Sequence, residues 1–412
     1  MRILLVTDYF PPVLGGMSLL VESLANALQA RHNEVYVCTV SGSATPDRRQ
    51  GLKVERAHHL SSFFPFIFKS QVEKNIPPLP DPLFNREINH IVSRFKPDII
   101  HAHGWVMFST ASYRISNPDV YSVATLHDYG FSCAKRNLVP RSNQENGCMV
   151  CPRIEPAYEC LSCCSATYGS IKPFGVVPCL RIFSHLLNDL DCVSAVSNYV
   201  AERARKKFTA NIVTIPNFVD YRATIGNAQK VSKTVDFPPD VLFVGRLSRE
   251  KGIYLFLKAF EILRKAIPQT KIAIVGKEDS SCSFQINDKS VFHRKNLERD
   301  EVSSLYCNSK VVVIPSIWAE PQPMVALEAM AFGKPLVVTA VGGLKEMVLD
   351  GKTGFVVEPS PENLAQALIN LLANPSAREE MGSKGRERLL SNYTSEIVVP
   401  RIEEMYERSM KN

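Results

Sequence analysis

The feature that most constrains this chain is an apolar strand followed by a glycine-containing turn and an amphipathic helix. Arg2–Thr7 reads RILLVT, an almost unbroken apolar run. A loop with Gly15 and Gly16 follows, and then come a helical pattern over Ser18–Arg31 and a second strand over Glu34–Thr39. Strands that alternate with helices in this way pair in parallel, and helices cover both faces of the sheet.

The same order returns near Asp240. Val241–Val244 is an apolar strand, Gly245–Gly252 is a turn and Ile253–Ala266 has helical periodicity. Further apolar runs predict strands at Ile99–Ala102, Tyr121–Leu126, Cys192–Ala195, Lys271–Val275, Lys310–Pro315 and Pro335–Thr339. Further helices are predicted at Met324–Phe332, Glu362–Leu372, Ala377–Ser391 and Glu396–Arg408.

The length of the chain, 412 residues, exceeds what one hydrophobic core usually organises. We therefore predict an α/β protein with two doubly wound, Rossmann-like domains over residues 1–220 and 221–392. A C-terminal helix over 393–412 could cross back to the first domain. Prolines make residues 40–97 an irregular insertion, and Arg222–Asp240 has the polar character of a linker.

Composition and charge exclude several classes of protein. The first apolar run is too short for a signal peptide, and no stretch reaches the length that spans a membrane, which predicts an intracellular, cytoplasmic protein. Neither half carries the glycine fingerprint of a dinucleotide-binding enzyme or of a P-loop NTPase. The net charge of +7 is modest, and no nucleic-acid partner is expected.

Two turns are candidates for binding phosphate. Gly15 and Gly16 precede a helix, whose N-terminal amides and dipole favour an anion, although such a glycine pair also makes ordinary tight turns. Arg246 and Lys251 lie in the turn Gly245–Gly252, beyond the end of a strand, where open α/β sheets bind ligands. Two cations there can neutralise a diphosphate. The alternative is a charged surface loop with Glu250 paired to Arg249 or Lys251.

Glu320 and Glu328 are candidates for binding hydroxyl groups. Eight residues of helix would separate them by about 12 Å, whereas the two carboxylates of a retaining glycosidase lie about 5 Å apart. They are therefore expected to accept hydrogen bonds from the vicinal hydroxyls of a sugar or a ribose. The predicted helix start at Met324 and Val325 offers free amides to a phosphate.

Taken together, six segments of the sequence resemble retaining glycosyltransferases of family 4. They are Tyr9–Gly16, Thr125–Asp128, Ile215–Asp220, Gly245–Gly252, Glu320–Glu328 and Gly351–Phe355. The resemblance covers nearly the whole chain. It implies the GT-B fold, in which two Rossmann-like domains face each other across a cleft, and transfer of a sugar from a nucleotide-diphosphate sugar, most commonly a UDP-sugar, to a hydroxyl acceptor.

The resemblance also implies roles for the residues that match its motifs. Gly15 and Gly16 would approach the donor phosphate, His127 would face the transferred sugar, and Arg246 and Lys251 would hold the diphosphate. Glu320 would contact sugar hydroxyls, Glu328 would contact the ribose, and the Met324 and Val325 amides would contact phosphate. No cofactor is expected for catalysis, and retention would follow from front-face attack.

Pro323 departs from the glycine that many relatives have at its position. It removes one backbone donor, so phosphate contact should shift to the next two amides.

A cysteine cluster lies just beyond His127. Its members are Cys133, Cys148, Cys151, Cys160, Cys163 and Cys164. Two C-x2-C pairs in an intracellular protein favour a structural zinc, held by Cys133, Cys148, Cys151, Cys160 and Cys163. An iron–sulfur cluster, unliganded thiols and a disulfide are the alternatives. The predicted role is structural: the insert 133–164 would shape the acceptor pocket.

Two alternative functions remain open at this point: a non-catalytic scaffold of the same fold, or a nucleotide-sugar epimerase. The acceptor is expected to be a glycan, a lipid-linked sugar or a small hydroxyl compound. Phenylalanines at 63, 64, 66 and 68, together with the basic surplus of residues 1–215, favour peripheral contact with the inner membrane face. Phenylalanines that cover a sheet edge are an equal alternative.

Overall fold

The computed structural model describes residues 1–13, 15–40, 51–63, 76–140, 150–169, 172–231, 237–279, 288–295 and 297–411. These residues form two compact units. Unit 1 comprises the described residues of Met1–Arg141, Cys151–Asn217 and Ser395–Asn412, and unit 2 contains those of Ser142–Val150 and Phe218–Thr394. Within the described ranges, no helix has both the length and the apolar character needed to cross a bilayer.

Unit 1 is built on a seven-stranded sheet in which every described pairing is parallel. Its strands are β1 (Arg2–Thr7), β2 (Glu34–Thr39), β3 (Lys53–Arg56), β4 (Ile99–His103), β5 (Tyr121–Leu126), β6 (Cys192–Ala195) and β7 (Ile212–Thr214). The order is β3-β2-β1-β4-β5-β6-β7, so the direction of winding reverses between β1 and β4. Open α/β sheets bind ligands beyond the strand ends at such a reversal.

Seven helices of unit 1 connect or cover these strands. They are α1 (Gly16–Ala30), α2 (Pro82–Phe95), α3 (Val106–Ser116), α4 (Glu159–Tyr168), α5 (Lys172–Phe183), α6 (Asn198–Arg205) and, at the C-terminus, α14 (Ser395–Ser409). Helix α14 packs on unit 1, where Tyr406 is fully buried. Glu403 of α14 accepts hydrogen bonds from Arg31 and Asn33, both at 2.7 Å.

Helix α2 lies in the segment that the prolines were expected to leave irregular, and that prediction is wrong there. Pro82 occupies the first turn of α2, where a missing N–H costs nothing. Asp81 caps the helix: its Oδ1 accepts from the Leu83 and Phe84 amides, each at 3.0 Å. Its Oδ2 accepts from Leu60 N at 2.7 Å. Residues 41–50 and 64–75, including Phe64, Phe66 and Phe68, lie outside the described residues.

Unit 2 has a six-stranded, fully parallel sheet of order β10-β9-β8-β11-β12-β13. Its strands are β8 (Val241–Val244), β9 (Ile272–Val275), β10 (Val291–Arg294), β11 (Val311–Ile314), β12 (Leu336–Thr339) and β13 (Gly354–Val357). Its helices are α7 (Tyr221–Val231), α8 (Ile253–Ala266), α9 (Arg299–Asn308), α10 (Met324–Ala331), α11 (Leu344–Met347), α12 (Pro361–Ala373) and α13 (Pro375–Asn392). Apolar clusters cover both faces of the sheet.

Helix α7 replaces the first part of the predicted polar linker. Asp220 accepts from the Ala223 amide at 2.9 Å and so caps the helix. Tyr221 packs against the core of unit 2 together with Leu305 and Tyr306. A polar composition therefore hid a short helix that is anchored at its first turn.

The Asp81 cap gives a first prediction. Asp81→Ala should lower the local stability of α2 by about 1–2 kcal/mol, because it removes the acceptor for the amides of the first helical turn. Amides of α2 should then exchange with solvent roughly 5–30 times faster, as measured by hydrogen exchange with mass spectrometry. Arg86→Ala, on the exposed face of the same helix, is the control. Equal exchange in both variants would contradict the assignment of the cap.

Candidate functional site

Three predicted site residues of unit 2 lie on loops at the carboxyl ends of neighbouring strands: Arg246 and Lys251 after β8, and Glu320 after β11. The loop after β8 reaches Gly252, whose φ is 78°. A Cβ at Gly252 would overlap the carbonyl oxygen of Pro315, at the end of β11. Glycine is therefore required for the two loops to touch, and Ile317 N donates to Glu250 O at 2.9 Å across the contact.

Lys251 and Glu320 form an ion pair at this contact. Lys251 Nζ lies 2.7 Å from Glu320 Oε1, and the Glu320 side chain is only 2% exposed. Ser316 Oγ donates to the same oxygen at 2.6 Å. Lys251 Nζ also lies 5.0 Å from the centroid of the Trp318 ring. The structure therefore brings together a cation and a carboxylate that were predicted separately, and adds Ser316 and Trp318 to them.

The backbone of Glu320 is held as firmly as its side chain. Its carbonyl oxygen accepts from the Gly343 amide at 2.6 Å. Gly342, at φ 52°, lies so close to the Glu320 backbone that a Cβ there would overlap it. The glycine pair after β12 thus fixes the loop that carries Glu320, and this fixes the direction of the carboxylate.

Arg246 lies apart from this ion pair and is largely exposed. Its guanidinium lies 2.7 Å from Glu250 Oε1, and 55% of its side chain is accessible. The charged surface pair considered from the sequence therefore exists, with Arg246 as its cation in place of Arg249 or Lys251. An exposed ion pair contributes about 1 kcal/mol or less, so Arg246 can turn to an anionic ligand at small cost.

Helix α10 presents free backbone donors at its first turn. Met324 and Val325 are its first residues, and Pro323 at the N-cap provides no side-chain hydrogen bond to the helix amides. Because the first amides of a helix have no partner within the helix, they are available to an anion. One turn later, Glu328 Oε2 accepts from the Tyr306 hydroxyl at 2.9 Å.

In unit 1, Gly15 and Gly16 lie at the start of α1. Both are exposed, and a Cβ built on Gly15 would meet no atom within 4 Å. The open space beside Gly15 leaves room for a ligand to approach the backbone. Among the described residues, no side chain caps the first turn of α1, so its amides are also available.

His127 follows β5 and is half-buried, and it lies beside two buried histidines, His103 and His101. His127 Nε2 lies 2.9 Å from His103 Nδ1, and the two rings stack with centroids 5.2 Å apart. The next ring, His101, has its centroid 4.1 Å from that of His103. The ring nitrogens of His101 lie 2.7 Å from Tyr406 OH and 2.7 Å from Thr125 Oγ1. His127 also forms a hydrogen bond with the Asn217 side chain, so its ring is already engaged within unit 1.

Desolvation keeps the two buried imidazoles and the half-buried His127 neutral. It lowers the pKa of His127 to about 4, against the opposing effect of Asp128, and that of His101 to about 3. Burial also lowers the pKa of His103 well below its usual range. At neutral pH, His127 therefore acts as a hydrogen-bonding group without charge.

A buried ion network that was missed in the sequence supports the His127 turn. Asp8 is fully buried and accepts from the Trp105 and Val106 amides at 2.8 and 2.9 Å. Arg136 bridges Asp8, at 3.3 Å, and Asp128, at 2.8 Å. Asp8 could have been suspected as a carboxylate directly after a strand. Nothing in the sequence indicates Arg136 as its partner, because 128 residues separate them.

The predicted metal site is not supported. Within the described ranges, no group of three or more His, Cys, Asp or Glu side chains is arranged to hold a metal ion. Two of the thiols turn towards the backbone instead: Ala157 N donates to Cys160 Sγ at 3.4 Å, and Cys163 Sγ donates to Val139 O at 3.8 Å. Cys133 and Cys151 form no disulfide within the described residues. Cys148 lies outside the described residues.

Comparisons with known proteins agree with this architecture. Residues 14–222 match the family described as Glycosyltransferase Family 4, and residues 226–388 match Glycosyl transferases group 1. A glycogen synthase of Mycobacterium tuberculosis is 26% identical, over 98% of this chain and 94% of its own length. A D-inositol 3-phosphate glycosyltransferase of Paenarthrobacter aurescens is 28% identical, over 89% and 87%.

A solved structure with the same fold is that of HepE from Anabaena in complex with UDP. It has a TM-score of 0.71 at 17% identity and covers 99% of this chain and 100% of its own. The fold of the present chain is GT-B, with a parallel, Rossmann-like sheet in each unit.

The buried histidines give a second prediction. Because their pKa values are lowered by folding, the unfolded chain binds more protons below about pH 6.5, and stability falls as pH decreases through this range. The free energy of unfolding of unit 1 should therefore rise from pH 5 to pH 7. His101→Gln should reduce this rise by about 1–2 kcal/mol, as measured by urea denaturation.

His90→Gln, on the exposed face of α2, is the matched control and should show the wild-type pH dependence. An identical pH dependence in His101→Gln would contradict the neutral, buried state of that imidazole.

Proposed function

Since the chain belongs to glycosyltransferase family 4, we propose that it is a retaining hexosyltransferase whose donor is a nucleotide-diphosphate sugar. The observation that carries the proposal is the ion pair between Lys251 and the buried Glu320 where the loops after β8 and β11 meet. A UDP-sugar is favoured, because HepE is described in complex with UDP and with UDP-glucose. The acceptor supplies a hydroxyl group.

Positive charge on the leaving diphosphate is the main contribution to rate in this proposal. Breaking the bond between the anomeric carbon and the phosphate oxygen leaves negative charge on the nucleotide diphosphate, and preorganised donors stabilise it. Lys251, Arg246 and the first amides of α10, at Met324 and Val325, are the donors of unit 2. The Gly15 and Gly16 loop would add backbone donors. Transfer requires no cofactor and no divalent metal under this scheme.

Glu320 orients the transferred sugar. Its Oε1 accepts from Lys251 and Ser316, and no described residue donates to its Oε2. A sugar hydroxyl can therefore donate to Oε2 while Lys251 keeps the buried carboxylate compensated. In the same proposal, Glu328 accepts from the ribose of the nucleotide.

His127 faces the transferred sugar as a neutral group. Its Nε2 is engaged with His103, and its ring also forms a hydrogen bond with the Asn217 side chain, so the backbone of the turn is left for sugar hydroxyls. The acceptor oxygen then bonds to the anomeric carbon on the face that the phosphate leaves, and the acceptor proton passes to the departing phosphate oxygen. This front-face path retains the anomeric configuration without a covalent enzyme intermediate.

The acceptor in this proposal is a glycan, and a lipid-linked or surface glycan is favoured over a small hydroxyl compound. Support comes from the basic surplus in residues 1–215 and from Phe63, whose side chain is 66% exposed where it enters the segment 64–75. The protein would act in the cytoplasm, at the inner membrane face when its acceptor is lipid-linked.

Substitution of the ion pair tests the proposal. Glu320→Gln and Lys251→Ala should each lower kcat for transfer by about 100-fold or more. Lys251→Ala removes a donor that stabilises the leaving diphosphate, and such a loss typically costs that much. Glu320→Gln removes the carboxylate that orients the transferred sugar. The measurement is release of nucleotide diphosphate in the presence of acceptor, with circular dichroism and thermal unfolding to confirm that each variant is folded.

Two exposed residues of unit 2 provide matched controls. Glu379→Gln and Lys258→Ala make the same chemical changes on the surfaces of α13 and α8 and should retain wild-type turnover. Near wild-type turnover in a folded Glu320→Gln or Lys251→Ala variant would show that the ion pair does not serve transfer.

A further inference from the structure

Tyr306 and Glu328 form a hydrogen bond that joins α9 to α10. The tyrosine side chain is 1% exposed, and its hydroxyl donates to Glu328 Oε2 at 2.9 Å. Burial, together with the nearby carboxylate, raises the pKa of Tyr306 well above its usual range. The phenol therefore keeps its proton and is a permanent donor to the carboxylate.

The tyrosine ring is held in place by a second contact. It stacks on Phe332 with a centroid distance of 5.3 Å and an interplanar angle of 6°. Phe332 lies one turn beyond Glu328, and its amide donates to the Glu328 carbonyl oxygen at 3.1 Å. The ring of Tyr306 and the backbone of Glu328 are therefore both held by Phe332, and this fixes the direction of the hydrogen bond.

This hydrogen bond leaves one oxygen of the carboxylate free to bind. Glu328 Oε2 is taken by Tyr306, and no described residue donates to Oε1. Burial raises the pKa of Glu328, while Tyr306 and Arg299 lower it. The phenol therefore favours the ionised carboxylate, the form that only accepts hydrogen bonds and can receive them from two adjacent hydroxyls.

We propose that Tyr306 is a positioning residue that orients Glu328 towards the two ribose hydroxyls of the donor nucleotide. The inference deepens the proposed function, since it rests on Glu328 as the ribose ligand. It makes the site selective for a ribose that carries both hydroxyls, whatever base is attached, because the contact is made to the sugar of the nucleotide alone.

The test compares UDP with 2′,3′-dideoxy-UDP by isothermal titration calorimetry, and uses GDP and ADP with their dideoxy forms if UDP does not bind. Wild type should bind the ribonucleotide about tenfold or more tightly than its dideoxy form, because a hydrogen bond to a charged group is of this size. Tyr306→Phe, which keeps the stacked ring, should weaken ribonucleotide binding severalfold and leave dideoxynucleotide binding unchanged.

Tyr393→Phe is the control, because Tyr393 is another buried tyrosine of unit 2, with its hydroxyl 3.4 Å from Arg388. It should keep the wild-type ratio of affinities. A merely structural role of Tyr306 would weaken both ligands equally, and that result would overturn the inference.

Two other results would also overturn it. Wild-type discrimination retained in Tyr306→Phe, or a wild type that binds both forms equally, would exclude the positioning role while leaving the donor proposal intact. Failure of the wild type to bind any of the three nucleotides would contradict the proposed function itself, and therefore this inference as well.

Discussion

The parallel direction of the strands is the constraint on which both candidate sites depend. In each unit all described strand pairings are parallel, so the loops at the carboxyl ends of neighbouring strands lie at one edge of the sheet. Strands β8 and β11 are neighbours, and their loops deliver Lys251 and Glu320 to one point. Strands β1, β4 and β5 likewise bring Asp8, Gly104 and His127 to one edge of unit 1.

A buried carboxylate is the second feature that the units share, and in each unit nearby donors compensate its negative charge. An unpaired carboxylate in the interior would cost several kcal/mol. Glu320 is compensated by Lys251 and Ser316. Asp8 is compensated by Arg136 and by two amides at the start of α3. Each carboxylate is thereby fixed in direction before any ligand arrives, which is the property that a binding site requires.

The fold class was predictable because it rests on local patterns. Apolar runs such as Val241–Val244 and Tyr121–Leu126 are short, regularly spaced and separated by helical periodicity, and the α/β prediction made from them is confirmed. Helices α2 and α7 escaped the same reasoning. These helices begin after the capping residues Asp81 and Asp220. Both caps lie in segments whose proline or polar content suggested loops.

The site was only partly predictable, because its partnerships join residues that are distant in sequence. Lys251 and Glu320 were identified one by one, but their mutual ion pair spans 69 residues. No motif in the sequence marks Tyr306, whose hydroxyl donates to Glu328, or Arg136, which pairs with Asp8. The metal predicted from the cysteine spacing is not supported, because among the described residues the thiols are not arranged to hold a metal ion.

The most direct test of the account is a transfer assay with UDP-, GDP- and ADP-glucose and an oligosaccharide acceptor, followed by nuclear magnetic resonance of the products. For a retaining hexosyltransferase, one donor should release its nucleotide diphosphate only when acceptor is present, and the new glycosidic bond should keep the α configuration of the donor. Consumption of no donor, an inverted linkage, or a sugar that is epimerised while still attached to its nucleotide would contradict it.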